Sequence, residues 1–588
     1  MTDTKQSRLT ATLLCVTPPD ERQEQGIRAF LQKKYGEDVA LTIQQDTSLK
    51  SGFQLHVGSE VYDWSAKGRM EQFRQQVEQL VAKNTRKDII PLLRSSIDEF
   101  RLLAKSSEVG TVKSIGDGIA VVEGLEHAAY GEILMFDNGI KGMVQDLRRN
   151  ETGCILFDNA DDISAGSKVA RTGKTAGVPV GDAFLGRVVD ALGRPIDGGD
   201  AIQADGYRPV EEPAPGIIDR QSVDTPMETG LLSIDAMFPI GRGQRELMIG
   251  DRQTGKTAIA LDAMLNQKGK NVICVYVAIG QKASSVAQLV ENLRKRDAMD
   301  YCVVVSATAG EADTMQYIAP YAGCAMAEYY MHKGRDVLIV YDDLSKHAIA
   351  YRAMSLLLER APGREAYPGD VFYLHSRLLE RSAHLSDKLG GGSMTALPIV
   401  ETQAGDVSAY IPTNIISITD GQIFLESDLF FAGQRPAVNV GLSVSRVGGA
   451  AQTKATKKAT GSLRLDLAQY REMEVFTQFS SDLDDSTKEQ LHYGQGLMRI
   501  LRQKQYHPLS MHQQVIVLVC AMGHVLSKVA VKDVTDFRDA LLDHFEQEHS
   551  DLCRSLEDEK VLTDDMKQEI LRIAEEYLAA NAERFRKE

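Results

Sequence analysis

Gly250-Asp251-Arg252-Gln253-Thr254-Gly255-Lys256-Thr257 is the stretch that decides the fold of this chain. It has the form G-x-x-x-x-G-K-[ST], a glycine-rich loop whose backbone N–H groups point at phosphate oxygens. In this pattern Lys256 supplies a positive charge to the β- and γ-phosphates, and the Thr257 hydroxyl is a ligand for Mg²⁺. A strand-like run at 245–249 precedes the loop, and a helical pattern at 258–265 follows it. This order of strand, loop and helix predicts an α/β nucleotide-binding core.

Three more apolar runs rich in β-branched residues follow the loop, at 271–278, 301–305 and 336–341. Continuous runs of this kind are typical of strands buried on both faces, and helical patterns separate them. We therefore expect the mostly parallel sheet of a P-loop NTPase. The third run leads into Asp342, which we favour over its neighbour Asp343 as the carboxylate that holds magnesium.

A polar residue at the end of the first strand after the loop is the candidate for orienting a water molecule. Gln281 occupies this position, directly after Ala278-Ile279-Gly280. A side-chain amide can orient water but cannot accept its proton. From position alone, a polar residue on a surface turn is an equally good interpretation of Gln281.

The composition bounds the class of protein. A chain of 588 residues exceeds what one hydrophobic core usually organises, so three or four domains are expected. The formal net charge of -15 argues against a nucleic-acid surface as the main function. The seven cysteines are scattered without a C-x-x-C pair, which favours a reducing compartment and argues against a disulfide framework or a zinc site.

Neither a secretory segment nor a membrane-spanning segment is recognisable in the sequence. Residues 1–8 are polar, and the longest apolar run near the C-terminus, at 515–523, is far too short to cross a bilayer. We expect a protein that is soluble by itself and reaches a membrane only through partners.

The patterns along the chain divide it into five segments. Residues 1–85 have the strand and helix patterns of a small α/β unit, and 86–108 form a linker helix. Short strands with glycine turns predict a small β-barrel at 109–176. The P-loop domain is expected at 177–460, and a helical C-terminal domain at 461–588.

Four segments together resemble the alpha subunit of the F-type rotary ATP synthase: Pro239 to Arg245, the loop Gly250 to Thr257, Tyr341 to Lys346, and Ser443-Val444-Ser445-Arg446-Val447-Gly448-Gly449. The similarity extends from about Ile90 to the C-terminus. The resemblance implies a β-barrel, a nucleotide-binding domain and a helical domain, alternating with beta subunits in a hexameric ring around a gamma shaft.

The same resemblance implies the cofactors and the roles of individual residues. Alpha subunits bind ATP or ADP with Mg²⁺ without turning it over, and the catalytic beta subunits carry a glutamate where this chain has Gln281. Arg446 matches the arginine that reaches into the neighbouring beta subunit as an arginine finger. The implied metal ligands are Thr257 and Asp342, and the implied nucleotide contacts are Gly250, Asp251, Arg252, Gln253, Thr254, Gly255, Lys256, Thr257, Ala258, Gln281, Arg435, Gln503 and Gln505.

The N-terminal part departs from the alpha-subunit pattern, because about 85 extra residues precede it. Gly52 to Arg69 resembles the C-terminal part of the delta subunit, which ties the ring to the peripheral stalk. The resemblance implies attachment of a b-type stalk subunit, with the docking segment held at high effective concentration. We expect a peripheral membrane protein on the cytoplasmic face of a bacterial membrane.

Two other functions compete with this interpretation. The first is a self-sufficient homohexameric P-loop ATPase such as a secretion motor, and Gln281 argues against it because such a motor needs a carboxylate in its own site. The second is an RNA-translocating hexamer, which the net acidity and the lack of an aromatic and basic stripe disfavour.

Overall fold

The structure is a computed structural model and describes residues 10–19, 21–35, 39–58, 60–68, 70, 106–137, 139–157, 163–477 and 485–585. The chain forms two compact units, residues 1–176 and 177–588. Most of the linker helix predicted at 86–108, with the boundary at residue 85, lies outside the described residues. The last residues of that segment, from Ser106, belong to a strand.

The first unit begins with a small α/β arrangement. Its elements are β1 (Thr10–Cys15), α1 (Glu21–Tyr35), β2 (Ala40–Gln45), β3 (Phe53–Val57) and β4 (Glu60–Asp63). β1 pairs with β2 in parallel and with β3 antiparallel, and β3 pairs with β4. The alternating inward residues of the strands and one face of α1 form its core, which includes Leu13, Leu31, Leu55 and Tyr62.

A closed antiparallel barrel follows, as the glycine-punctuated strand pattern predicts. Its strands are β5 (Ser106–Gly116), β6 (Ile119–Glu123), β7 (Glu132–Phe136), β8 (Lys141–Leu147), β9 (Glu151–Leu156) and β10 (Lys168–Thr175). Their order is β10-β7-β8-β9-β6-β5, and pairing of β10 with β5 closes the barrel. β4 also pairs with the start of β5, so the small α/β arrangement and the barrel share one continuous sheet.

The second unit contains the predicted mostly parallel sheet, in the order β12-β16-β15-β17-β18-β14-β19-β20. Its strands are β12 (Val188–Asp190), β14 (Glu246–Gly250), β15 (Val272–Gln281), β16 (Cys302–Thr308), β17 (Asp336–Asp342), β18 (Ser393–Glu401), β19 (Gly421–Leu425) and β20 (Val444–Ser445). Two short strands, β11 (Gly177–Val180) and β13 (Gly206–Pro209), pair separately. Nine of the ten residues of β15 are buried, which explains why its sequence is continuously apolar.

Helices cover both faces of this sheet, as expected for parallel strands joined by crossover connections. They are α2 (Leu232–Met237), α3 (Lys256–Leu265), α4 (Ala283–Arg294), α5 (Asp313–Met331), α6 (Leu344–Leu357), α7 (Val371–Leu379), α8 (Tyr410–Ile418) and α9 (Ser427–Phe431).

The C-terminal part is helical, which confirms that element of the predicted fold. Its helices are α10 (Lys454–Thr460), α11 (Leu463–Thr477), α12 (Asp485–Ile500), α13 (Met511–Met522), α14 (Val534–Glu548), α15 (Ser550–Glu559), α16 (Asp564–Ala580) and α17 (Ala582–Phe585). One hydrophobic core runs from the sheet into these helices. Among the described residues, no helix has the length and apolar character needed to cross a bilayer.

Candidate functional site

The phosphate loop joins β14 to α3 at the carboxyl edge of the parallel sheet. Gly250 ends the strand, and a Cβ there would lie 2.4 Å from the carbonyl oxygen of Leu425. Gly255 precedes α3 with φ 98°, a left-handed conformation that favours glycine. Both glycines are therefore required by the backbone path that directs the loop's N–H groups inward.

The side chain of Lys256 folds back into the phosphate loop, and the residue is only 6% exposed. Its ammonium donates hydrogen bonds to the carbonyl oxygens of Gly250, at 2.9 Å, and Asp251, at 2.5 Å. Burial lowers the pKa of Lys256, while the acidic groups around it act in the opposite direction. The side chain is thus held in the centre of the loop, where a phosphate would replace its carbonyl partners.

The side chains of Thr257 and Asp342 contact each other next to the phosphate loop. The Thr257 hydroxyl donates to Oδ2 of Asp342 at 2.7 Å, and the buried Tyr276 hydroxyl donates to the same oxygen at 2.6 Å. Burial raises the pKa of Asp342, and these two hydrogen bonds partly offset that effect. The two predicted metal ligands therefore lie together, although β18 separates their strands in the sheet.

The oxygen donors at this position fit a magnesium ion. Mg²⁺ prefers carboxylate and hydroxyl oxygens together with substrate phosphates and water, and it keeps several waters when bound. Thr257 and Asp342 supply one hydroxyl and one carboxylate next to the phosphate loop. Asp343 is engaged differently, because it caps α6 by accepting from the backbone N–H of Lys346 at 2.8 Å.

Gln281 ends β15 beside the same carboxylate. Its amide nitrogen donates to Oδ1 of Asp342 at 2.8 Å and to the backbone oxygen of Asp342 at 3.2 Å. The alternative of an unconstrained surface turn does not describe this geometry, since the side chain is half-buried and tied to the site. The Gln281 amide can hydrogen-bond to the Asp342 carboxylate, but it is not basic enough to accept a proton from a water molecule.

The outer part of the loop is held by residues just after β18 and at the start of α9. Asp251 accepts hydrogen bonds from the Thr402 hydroxyl at 2.7 Å and the Ser427 hydroxyl at 3.1 Å. Arg252 is exposed and pairs with Glu401 at 3.0 Å. Of the remaining predicted loop contacts, Gln253 is exposed, Thr254 is buried, and Ala258 is half-buried in the first turn of α3.

Arg435 lies near the phosphate loop, to which Phe430 connects it. Its guanidinium stacks over the ring of Phe430, with 4.4 Å to the ring centroid. That ring is also beside the loop, because a Cβ on Gly255 would lie 3.8 Å from it. Arg435 is exposed, so an aromatic and cationic surface is available next to the phosphate site.

The side chain of Gln503 is hydrogen-bonded to backbone groups around the start of α2. Its amide nitrogen donates to the backbone oxygen of Gly230 at 2.7 Å, and its amide oxygen accepts from Leu232 at 2.9 Å. The backbone N–H of Gln503 donates to the backbone oxygen of Arg435 at 2.8 Å. Gln505, two residues later, is exposed. Of this pair, Gln505 has the side chain available for a ligand.

Arg446 directly follows β20, the edge strand of the sheet. Its backbone N–H donates to the backbone oxygen of Asp420 at 2.9 Å. The side chain is exposed and makes no hydrogen bond or salt bridge with a described residue, but its charge acts on the nearby buried Glu246. Burial raises the pKa of Glu246, and the positive charge of Arg446 opposes that effect. Arg446 is therefore positioned by its backbone, with its cationic group available.

The phosphate loop and Arg446 lie at opposite ends of β19. Gly250 pairs with Leu425 at one end of that strand, and Ser445 pairs with Gly421 at the other. Four residue steps of strand, roughly 13 Å, separate the two ends. The structure thus brings Gln281, Thr257 and Asp342 together but leaves Arg446 away from them.

Two residues of the site were missed in reasoning from the sequence. Tyr276 lies within an apolar, buried strand. Because a buried tyrosine hydroxyl usually has a hydrogen-bond partner, its presence in such a strand could have indicated a polar site nearby. Phe430 lies just before the Arg435-Pro436 pair, and no local pattern distinguishes it from the neighbouring Phe431.

Four family models match the sequence. The model described as ATP synthase alpha/beta family, nucleotide-binding domain, matches residues 230–445, and the beta-barrel domain of that family matches 105–173. The model of the ATP synthase alpha/beta chain, C terminal domain, matches 452–577. Residues 1–77 match the model of the ATP synthase delta (OSCP) subunit.

Curated relatives cover most of the chain. ATP synthase subunit alpha of Clostridium botulinum strain Hall is 57% identical over 483 residues, which are 82% of this chain and 96% of that protein. ATP synthase subunit alpha of Clostridium kluyveri is 56% identical over 490 residues, which are 83% of this chain and 97% of that protein. With the barrel, the nucleotide-binding sheet and the helical domain in the same order, these matches show that the chain belongs to the ATP synthase alpha-subunit family and carries a delta-like segment ahead of the barrel.

Proposed function

We propose that the chain is the non-catalytic, regulatory nucleotide-binding subunit of an ion-translocating ATP synthase, and that it supplies Arg446 to the catalytic site of an adjacent beta subunit. The observation that carries this proposal is the separation of Arg446 from the chain's own phosphate loop along β19. An exposed guanidinium at that distance acts on a phosphate bound to another subunit. Arginine suits the role because it is always charged and can hold phosphate oxygens with two hydrogen bonds.

The chain's own site is proposed to retain nucleotide rather than hydrolyse it. Hydrolysis needs a group that orients the attacking water and accepts or relays its proton. Gln281 donates to Asp342 and carries no carboxylate, which leaves its position in the site without a base. This supports a regulatory role, in which bound nucleotide stabilises the subunit and its contacts.

We assign ATP or ADP with Mg²⁺ as the ligand of this site. Residues 250–258 surround the phosphates in this assignment, and Arg435 with Gln505 lies towards the base. Thr257 and Asp342 would hold the Mg²⁺, whose charge would neutralise the phosphate oxygens when it is bound. The contact between these two side chains at 2.7 Å supports the assignment.

The partners that follow are beta subunits alternating with this chain in a hexameric ring, and a gamma shaft within the ring. The relatives are named as ATP synthase alpha subunits, and a P-loop subunit that lends an arginine needs a neighbour to receive it. We place the chain at the cytoplasmic face of a bacterial membrane, which it reaches through the other subunits.

Comparing ATP turnover of the chain alone and of its complex with a beta subunit tests the proposal. We expect the isolated chain to bind ATP and to release it as ATP after prolonged incubation, while the complex hydrolyses ATP. Steady turnover by the isolated chain would reject the non-catalytic assignment and favour a self-sufficient homohexameric motor.

We also propose that residues 1–85 anchor the peripheral stalk. Support comes from the match of residues 1–77 to the delta (OSCP) subunit model and from the folded arrangement of β1, α1, β2, β3 and β4. Deleting residues 1–85 is expected to leave a ring that hydrolyses ATP but no longer binds a b-type stalk subunit in a pull-down. A truncated chain that fails to enter the ring would indicate a folding role instead.

A further inference from the structure

Three helices of the C-terminal domain bring together donor atoms that suit a transition metal. His512 lies near the start of α13, Glu546 near the end of α14, and Cys553 in α15. One imidazole nitrogen, one carboxylate oxygen and the thiol sulfur all lie within 4.8 Å of one another. The three residues are not spaced as in a known metal-binding motif. The sequence therefore contained no indication that one of its scattered cysteines takes part in a metal site.

We propose that His512, Glu546 and Cys553 form a Zn²⁺ site that joins α13, α14 and α15. Nitrogen, oxygen and thiolate ligands are those that Zn²⁺ accepts in tetrahedral sites, at about 2.0–2.3 Å. Donor atoms of one tetrahedral zinc lie roughly 3.3–3.8 Å apart. On binding, the widest separation, at most 4.8 Å, must therefore shorten, and the 2.7 Å contact between Nε2 of His512 and Oε1 of Glu546 must lengthen. A water molecule completes the coordination.

Glu557 occupies the position of an outer partner for the histidine ligand. Its Oε2 lies 2.8 Å from Nδ1 of His512 and also accepts from the His512 backbone N–H at 3.1 Å. Nε2 of the same ring lies 2.7 Å from Oε1 of Glu546, on the side of the proposed metal. Zinc-bound histidines usually donate their other ring nitrogen to such a carboxylate, which fixes the orientation of the ring.

The burial of the cluster allows both binding and entry. Cys553 is 4% exposed, so its sulfur would bind a metal in a position shielded from solvent. The side chains of His512 and Glu546 are 14% and 42% exposed, which leaves a path from solvent. A thiolate ligand also favours Zn²⁺ over Mg²⁺ and Ca²⁺, which select oxygen ligands.

Metal binding at this site has a defined charge and proton balance. Without metal, an imidazolium can donate from both nitrogens, one to Glu557 and one to Glu546. On binding, the Nε2 proton and the Cys553 thiol proton leave to buffer, and no electron is transferred. Zn²⁺ with one thiolate and one carboxylate is then neutral overall. About two protons per metal are therefore expected, because ligands must be deprotonated.

Co²⁺ is the probe for the ligand set, because a thiolate bound to Co²⁺ gives a charge-transfer absorption band. Co²⁺ bound only to oxygen ligands, as at the proposed magnesium site, does not give this band. Titration of the full chain is expected to produce this band with one equivalent of Co²⁺, and Zn²⁺ should abolish it. Cys553→Ser should lose the band, whereas Cys520→Ser, a control at another buried cysteine of the domain, should keep it. Absence of the band in the natural chain, or its persistence in Cys553→Ser, would overturn the proposal.

Two further variants test the site even if Cys553→Ser does not fold. Glu557→Gln keeps all three ligands and should lower Zn²⁺ affinity by about 10- to 100-fold in calorimetry while the Co²⁺ band remains. Glu546→Gln should weaken binding at least as strongly. Calorimetry in buffers of different ionisation enthalpy gives the proton count. A Zn²⁺ affinity that is unchanged from that of the natural chain in both variants, or no proton release, would contradict a site built from these residues.

Discussion

Thr257 and Asp342 are joined by a hydrogen bond of 2.7 Å, although Thr257 comes after β14, Asp342 ends β17, and β18 lies between these two strands. The contact depends on strand order, because both strands run in parallel and end at the same edge of the sheet. It places the hydroxyl from the phosphate loop against the carboxylate that receives a second hydrogen bond from Tyr276. This pair is the structural basis of the proposed magnesium site.

Replacing Thr257 tests that site directly. Thr257→Val removes the hydroxyl and keeps the shape, so we expect the Mg²⁺-dependent part of nucleotide affinity to fall by about 10- to 100-fold. Thr257→Ser keeps the hydroxyl and should bind nearly as the natural chain does. The measurement is ATP affinity with Mg²⁺ and with a chelator. If Thr257→Val loses equal affinity in both conditions, the hydroxyl does not serve the metal.

Arg446 is expected to act on the catalytic rate of a neighbour and not on nucleotide binding by this chain. In a complex with beta subunits, Arg446→Ala should lower ATP turnover by about 10³- to 10⁵-fold, the range known for arginine fingers. Nucleotide affinity of this chain's own site should not change, since β19 separates the two. Arg554→Ala, at an arginine that is 72% exposed in α15, is the control. A normal rate for the Arg446 variant would reject the finger assignment.

Local sequence pattern was sufficient to predict the strand, loop and helix around Gly250 to Thr257 and the carboxylate at Asp342. These features depend on residues that are close in the chain: glycines at strained positions, and an apolar run that ends in an acid. The barrel and the helical domain were predictable for the same reason, because their strand and helix periods are local.

Contacts set by strand order and helix packing were not predictable in this way. That Gln281 would donate to Asp342 required knowing that β15 and β17 are neighbours. The hydrogen bonds of Gln503 depend on the connection between α12 and α13, which returns to residues 230–232 from far along the chain. The cluster of His512, Glu546 and Cys553 likewise arises only when three helices pack together.

Arg381 and Glu328 form a buried ion pair whose disruption should destabilise the nucleotide-binding domain. Both side chains are nearly inaccessible, at 1% and 3% exposed, and two hydrogen bonds of 2.7 Å join them. Glu328→Gln leaves the guanidinium without its counter-charge, so we expect a loss of about 3–5 kcal/mol. Urea unfolding followed by circular dichroism measures it.

The exposed pair Arg572 and Glu569 provides the control for that experiment. It has similar hydrogen bonds, but its side chains are 54% and 44% exposed. Because water and salt screen such a pair, Glu569→Gln should leave the unfolding midpoint nearly unchanged. Equal effects of the two substitutions would show that burial does not determine the contribution of the Arg381 pair.

Asp262 on α3 is expected to make stability depend on pH. It is 4% exposed, and Oδ1 accepts from the backbone N–H of Tyr506 at 2.8 Å, which joins the phosphate-loop helix to the C-terminal domain. Burial raises the pKa of Asp262 from 3.8 to about 6, although the Tyr506 hydrogen bond and Arg296 act in the opposite direction. The folded state therefore holds this proton more tightly than the unfolded state does.

The sign of the pH effect follows from that difference. The contribution of Asp262 to stability is fully present below the pKa of 3.8 and is lost as pH rises towards about 6. Asp262→Asn keeps an oxygen acceptor and cannot ionise, so it should be more stable than the natural chain near pH 7, by up to about 3 kcal/mol. Near pH 4 the difference should largely disappear.

Denaturant midpoints measured between about pH 4 and about pH 8 for both proteins test this expectation, with Asp551→Asn at an exposed carboxylate as the control. The two curves for Asp262 should diverge as pH rises, because only the natural chain pays the cost of a buried charge. The control should run parallel to the natural chain at every pH. Parallel curves for Asp262→Asn as well would mean that the carboxylate stays solvated when charged, and that its contact with Tyr506 does not depend on protonation.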